Sequence, residues 1–355
     1  MFKFFRSLQT RLEALLEVSR AQADRQLQME AMLAEAARLQ TDRQLHIEAL
    51  LAQKFLTPAA IAALNPHFHR NFLPNDDSAA QKNLIATWRL RPPGILSHSE
   101  LVESGFRVFS QNDEDGILLR LFTHIGHTNR YVIEIGSNCS GSDVGIPENL
   151  SANLIINHGW HGAVFEMDPT ECDKMRYFFA RDHATRHFHW SRDGEPTYFS
   201  PLIVQQTVNP ENINETLFEA NNEYEPDLMI IDIDGGDYAV VQSLKVVRPR
   251  VLVVEFEKRF RDRYSVVQFD RTNFSKLWSQ SGSTSLAAWD RLLGLRGYVL
   301  CAIGACGFNA FYVRSEIAAG QLTSLTIAEA FDIHPILSKV DEGLWLIPDE
   351  SWQQV

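Results

Sequence analysis

Carboxylates recur at the ends of apolar runs in this sequence. Pro226-Asp-Leu-Met-Ile-Ile-Asp-Ile-Asp-Gly-Gly-Asp-Tyr238 is followed, after a spacer of helical length, by Arg250-Val-Leu-Val-Val-Glu-Phe-Glu257. Such runs read as neighbouring parallel strands that deliver acids to one edge of a sheet, and in open α/β sheets that edge is where ligands sit. A third run, Tyr131-Val-Ile-Glu-Ile-Gly136, ends in an acid and a glycine turn. Together they point to a nucleotide-type cofactor site. Strand alternation would put Asp232 and Asp234 on one face, and Gly235-Gly236 lets the chain leave the sheet directly after them. Glu255 and Glu257 stand in the same relation at the next strand end. Four acids so placed can act as a general base with hydroxyl acceptors, or hold a hard cation such as Mg²⁺. The cation is possible but not favoured, because Phe256 separates the second pair. Asp237 reads as a helix cap.

From about Val108 the chain alternates strand and helix signals. Strands are expected near 131–135, 163–167, 202–207, 228–233, 251–256, 297–303 and 309–314. Helices are expected near 114–125, 147–158, 170–181, 210–221, 237–245 and 284–296. This rhythm predicts a doubly wound sheet. The last two strands are joined by a Gly-containing loop too short for a crossover helix, so they should form an antiparallel hairpin.

Several segments make the pattern more specific: Ser110-Gln-Asn-Asp-Glu-Asp-Gly-Ile-Leu118, Glu134-Ile-Gly136, Glu148-Asn-Leu150, Gly159-Trp-His-Gly162 and Val208-Asn-Pro-Glu-Asn-Ile213. It continues in Ile231-Asp-Ile-Asp-Gly-Gly-Asp-Tyr238, Ser283-Thr-Ser-Leu-Ala-Ala288 and Gly307-Phe-Asn-Ala-Phe-Tyr-Val-Arg314. In this order they resemble the FkbM-like branch of the class I S-adenosylmethionine-dependent methyltransferases. The resemblance implies an α/β fold with a Rossmann-like seven-stranded methyltransferase sheet and an antiparallel terminal hairpin. It implies S-adenosyl-L-methionine as cofactor, with Glu134 accepting from its aminopropyl end and Glu166 taking the ribose hydroxyls; Asp168 competes for the second role. Gly136, Ser137, Gln111 and Asp115 complete the implied cofactor set, although Gln111, Glu114 and Asp115 also read as a capping cluster. Asp232 and Asp234 are the implied catalytic pair. The second glycine of the loop after Gly136 is either Gly141 or Gly145, and Asn309 either lines the acceptor pocket or satisfies loop backbone.

Residues 1–56 are expected to form a long amphipathic helix ahead of this sheet, since Phe4 to Phe55 holds no Gly or Pro and is rich in Ala, Leu, Gln, Glu and Arg. Asp24-Arg-Gln-Leu27 recurs as Asp42-Arg-Gln-Leu45, a shift of 18 residues. That is five helical turns, so the apolar stripe returns to the same face. Self-association through a coiled-coil-like seam is the expected cover, which makes the chain a homo-oligomer; packing on its own domain is the other solution. Residues 57–107 read as a connector with a helical piece at 78–89, 108–316 as the methyltransferase domain and 317–355 as a C-terminal extension that either docks or covers the cleft.

Composition narrows the classes. A net charge of −12 argues against nucleic acid as the main partner. The four cysteines form no credible zinc pattern and read as reduced thiols of a cytoplasmic protein. His183 and His187 could share a helix face, yet no third ligand stands at a fixed spacing. Arg11, Glu13 and Glu17 interrupt any signal peptide, and no run approaches the ~20 apolar residues of a membrane span. The leading function is methyl transfer from S-adenosylmethionine to an oxygen of a sugar, glycan or secondary metabolite. The alternative is a non-catalytic assembly or binding protein that reuses the fold. A dehydrogenase is weaker, because no compact G-x-G-x-x-G follows the first strand.

Overall fold

The computed structural model describes residues 76–355 apart from 140–145, 182–190, 193–194, 197–200, 221, 269–283, 340–346 and 349. The expected N-terminal helix, the Gly141 and Gly145 alternatives, His183 and His187 lie outside the described residues.

Seven strands build the main sheet: β1 (Tyr131–Ile135), β2 (His161–Glu166), β3 (Leu202–Gln205), β4 (Leu228–Ile231), β5 (Val251–Glu255), β6 (Tyr298–Ile303) and β7 (Asn309–Arg314). Their spatial order is β3-β2-β1-β4-β5-β7-β6. The first five are parallel, and β7 runs antiparallel to both β5 and β6. The expected terminal hairpin is therefore present, with β7 inserted between its partner and the parallel strands. Helices α1 (Asp76–Arg89), α2 (His98–Glu103), α3 (Glu114–Ile125), α4 (Ala152–His158), α5 (Pro169–Arg181), α6 (Ile213–Glu219), α7 (Asp237–Ser243) and α8 (Leu286–Leu295) surround it, followed by α9 (Ser315–Ala318) and α10 (Ile327–Ile333).

Burial on both faces explains why the central strands are apolar throughout. In β4, Leu228 and Ile230 enter one core while Met229 and Ile231 enter the other; Val251 and Val253 alternate with Leu252 and Val254 in the same way along β5. A strand covered on both sides has no polar face to display. Part of the expected connector belongs to this body, because Leu96 and Leu101 are buried in the first core. The C-terminal segment docks as well. Phe331 packs edge-on to Phe256, Trp352 packs edge-on to Phe260, and Gln353–Gln354 pairs with Val266–Val267.

Two contacts fix the sheet's edges. At the edge where β4 and β5 begin, the fully buried Asp227 carboxylate accepts the amides of Thr128, Asn129 and Arg130 and pairs with Arg250. At the opposite edge, Gly136 follows β1 with φ 90°, and a Cβ there would lie 1.6 Å from the Asp232 carbonyl oxygen. Only glycine allows β1 and β4 to stay in register past their ends. We expect Gly136→Ala to lose soluble protein or to melt far below the parent, a cost beyond ~3 kcal/mol, as read by expression yield and circular dichroism; an unchanged melting temperature would refute the contact.

Candidate active site

The parallel strands deliver their C-terminal ends to a cavity of about 300 Å³ whose walls include Gly136, Glu166, Asp168, Glu171, Asp232 and Asp234. Among the described residues, five that line it are acidic and none is Lys, Arg or His. Glu166, the last residue of β2, is half-buried; its carboxylate accepts the Asp168 amide at 2.7 Å, and burial raises its pKa. Asp168 accepts the Thr170 and Glu171 amides at 2.6 and 3.2 Å, which makes it the cap of α5 as well as a wall. Glu171 accepts the Cys139 amide at 2.7 Å and is paired from behind by Lys174 at 2.7 Å. Glu171, Gln206 and Thr207 line the cavity although the sequence did not single them out. A helix-start acid after a strand-end acid is a faint signal that capping alone also explains.

Asp232 and Asp234 meet by a different route from strand alternation. β4 ends at Ile231, and Asp234, Gly235 and Gly236 then take φ values of 53°, 123° and 85°. This left-handed turn carries Asp234 back toward Asp232. Asp237 holds the turn, accepting the Ile233 amide at 2.9 Å and the Gly235 amide at 3.0 Å. The capping role expected for Asp237 is thus directed at the loop that presents the other two acids. Carboxylate oxygens of Asp232, Asp234 and Glu255 all lie within 4.8 Å of one another.

Crowding perturbs these groups strongly. Burial, and then the charges of Asp237 and Asp234, hold Asp232 well above the usual carboxylate range. Burial and the charge of Asp232 do the same to Glu255. Glu257 departs from the expected symmetry. It lies past the end of β5, is almost fully buried, and is clamped in bidentate fashion by Arg259 at 2.9 and 2.7 Å. A forked ion pair satisfies both oxygens, so Glu257 stands apart from the cluster.

The remaining expected residues sit behind the wall rather than in it. Glu134 is buried with its carboxylate accepting the Leu150 and Ser151 amides at 2.9 and 3.1 Å, and burial pushes its pKa up to about 7. Asp115 accepts the amides of Val108, Phe109 and Ser110 at 2.7, 2.7 and 2.8 Å, with its pKa pushed up to about 6 by burial. Its other oxygen, Oδ1, is buried without a hydrogen-bond partner. The Ser137 hydroxyl accepts from Asn149 at 2.9 Å. Gln111 is exposed. None of these four lines the cavity. Asn309, opposite Glu255 in the β5–β7 register, donates to Glu114 at 2.9 Å, tying the start of α3 to the same sheet edge.

Residues 141–300 match the family model described as the methyltransferase FkbM domain. Residues 141–300 are thereby marked as a methyltransferase domain of the FkbM type. The matched region contains Glu166, Asp232, Asp234 and Glu255, and it begins just after Gly136. A search of curated proteins found no match. Among solved structures, the O-methyltransferase NcsB1 from neocarzinostatin biosynthesis, in complex with S-adenosyl-L-homocysteine and 1,4-dihydroxy-2-naphthoic acid, is 10% identical over 57% of each chain with a TM-score of 0.31. The pyocyanin biosynthetic protein PhzM is 10% identical over 56% of this chain and 57% of its own, at 0.30. The N-terminal domain of EvdMO1 with S-adenosylhomocysteine bound is 10% identical over 65% and 94%, at 0.34. The chain spans just over half the length of the first two. Likenesses this distant carry no argument about what the domain acts on.

The perturbed acids of the methyltransferase domain couple stability to pH with a definite sign. A carboxyl whose pKa is raised on folding contributes stability that is present below its unfolded pKa and lost as pH rises through the raised value. Asp232, Glu255, Glu134 and Asp115 all act in this direction. Asp232→Asn removes one such charge, so its melting temperature should exceed the parent's at pH 8 and approach it at pH 5. A variant no more stable than the parent at pH 8 would show that Asp232 is not held uncomfortably charged.

Proposed function

We propose that the protein transfers a methyl group from S-adenosylmethionine to a hydroxyl oxygen of a neutral, hydroxyl-rich small molecule, such as a sugar, glycan or secondary metabolite. The observation that carries this reading is the Asp232, Asp234 and Glu255 cluster at the rim of an acid-lined cavity that Glu166 also walls. The residues suit the cofactor: carboxylates attract a cationic sulfonium and accept from vicinal hydroxyls. When bound, S-adenosylmethionine supplies the electrophilic methyl.

The chain's own groups then have two tasks. Glu166 accepts hydroxyl hydrogen bonds at the open end of β2. Asp232, with its raised proton affinity, takes the proton of the acceptor hydroxyl as that oxygen becomes nucleophilic, and Asp234 and Glu255 hold neighbouring hydroxyls. A base whose pKa lies nearer neutrality removes a hydroxyl proton more effectively than an ordinary carboxylate does. The same acid-rich wall repels phosphate and carboxylate groups, so the acceptor should be uncharged where it meets the cluster. The implied roles of Glu134, Ser137 and Asp115 are then indirect, acting through the loops whose backbone or side chains they bind, and Gln111 lies exposed outside the cavity.

Calorimetry and a methyl-transfer assay test this directly. Glu166→Ala should weaken S-adenosylhomocysteine binding by about 10- to 100-fold, the effect of one or two lost hydrogen bonds to a charged group. Asp232→Asn should retain that binding and lose about 10²–10⁴-fold in turnover, the usual worth of a general base. Unchanged binding in the first variant, or unchanged turnover in the second, would contradict the assignment.

The oligomerisation role of residues 1–56 is a separate proposal that rests on the sequence repeat. Light scattering on a chain lacking those residues should give a smaller oligomer than the full chain; an equal mass would remove the proposal.

A further inference from the structure

A second cavity, of about 260 Å³, opens at the other edge of the sheet, where β5 and β6 begin. Its size is just below the range typical of small-molecule sites. Val241 and Leu244 from the end of α7, Leu252 from β5 and Leu293 from α8 supply apolar lining. Three cationic residues, Lys245, Arg248 and Arg296, also line it, and no acid does among the described residues. In a chain of net charge −12 this is a local reversal of sign, and it is opposite to the first cavity.

Helix capping accounts for only one of the three. Arg296 donates to the carbonyls of Gln242 and Leu244 at 2.6 and 3.2 Å, satisfying the end of α7 and fixing the guanidinium beside the cavity. Two of its five N–H groups are used in this way. Arg248 makes no such bond; it pairs with Glu316 at 3.0 Å, a half-exposed pair that a competing anion can share. Lys245 is exposed and forms no ion pair among the described residues. The Tyr298 hydroxyl is committed to the Pro249 carbonyl at 2.6 Å, so the side-chain donors left at the rim are the three cations and the exposed Tyr224 hydroxyl.

We propose that this cavity binds a small organic anion, with a carboxylate at the Lys245, Arg248 and Arg296 rim and an apolar body against Leu244, Leu252 and Leu293. Nothing in the methyl-transfer reading requires it, and it lies at the sheet edge away from the acidic cluster. The cations provide attraction and orientation, while the apolar lining selects a hydrocarbon body over a free inorganic anion.

Isothermal calorimetry of octanoate against the full chain tests the proposal, with octan-1-ol as the uncharged control. Octanoate should bind at least tenfold more tightly than octan-1-ol, and more weakly as salt is raised. The double variant Lys245→Glu with Arg248→Glu should lose at least tenfold in octanoate affinity, whereas Lys82→Glu, an exposed charge reversal on α1, should match the parent. The milder pair Lys245→Gln with Arg248→Gln should fall between, which protects the test if the reversal disturbs folding. No octanoate binding to the intact chain, equal binding of octan-1-ol, or affinity unchanged in both double variants would each overturn it.

Discussion

Like charges held together against their repulsion are the constraint on which the active end of this fold depends. Asp232, Asp234 and Glu255 bring carboxylate oxygens within 4.8 Å of one another, two of them in surroundings that already disfavour charge. Left to itself, such a group would spread apart or protonate. The backbone prevents the first: Gly136 locks the tips of β1 and β4 together, and the Asp237 carboxylate ties down a left-handed turn that no ordinary strand continuation would produce. The second outcome, a raised proton affinity at Asp232 and Glu255, is the property on which the proposed base role draws.

The rest of the sheet makes that constraint tolerable. Strands buried on both faces give the tips no freedom to splay, and the Asp227 and Arg250 pair anchors the edge where β4 and β5 begin. Removing one partner of such a buried pair costs ~3–5 kcal/mol, because the other is left charged and alone. Asp227 balances the raised acids in sign. Burial alone would lift its pKa, but Arg250 and the three amides outweigh burial and hold it below the ordinary value. Its contribution is present above the unfolded pKa and lost as pH falls, whereas that of Asp232 is lost as pH rises.

Sequence legibility followed the strength of the local signal. Strands read from unbroken apolar runs appear within a residue or two of expectation, with β1 and β7 matching at both ends, and α3 matches as well. The antiparallel hairpin was legible because its loop could not hold a crossover helix. Helix α4 starts later than expected, since Leu150 and Ser151 donate their amides to Glu134 instead of extending the helix. Acids were legible by type and position but not by partner. Nothing in Val-Glu-Phe-Glu distinguishes Glu255, free to join the cluster, from Glu257, which Arg259 occupies. Alternation suggested how Asp232 and Asp234 meet, whereas the two glycines after them signalled the turn that does it. The cationic lining at the far edge combines the loop between α7 and β5 with the end of α8, and no contiguous motif announced it.

The central claim is that the strand-tip acids of this methyltransferase domain are crowded enough to shift proton uptake toward neutrality. Carbon-13 NMR titration of the side-chain carboxyls in aspartate-labelled protein, with Asp232 assigned by its loss in Asp232→Asn, measures that directly. The account predicts a midpoint for Asp232 well above the ordinary aspartate value near ~4. A midpoint at or below that value would contradict it.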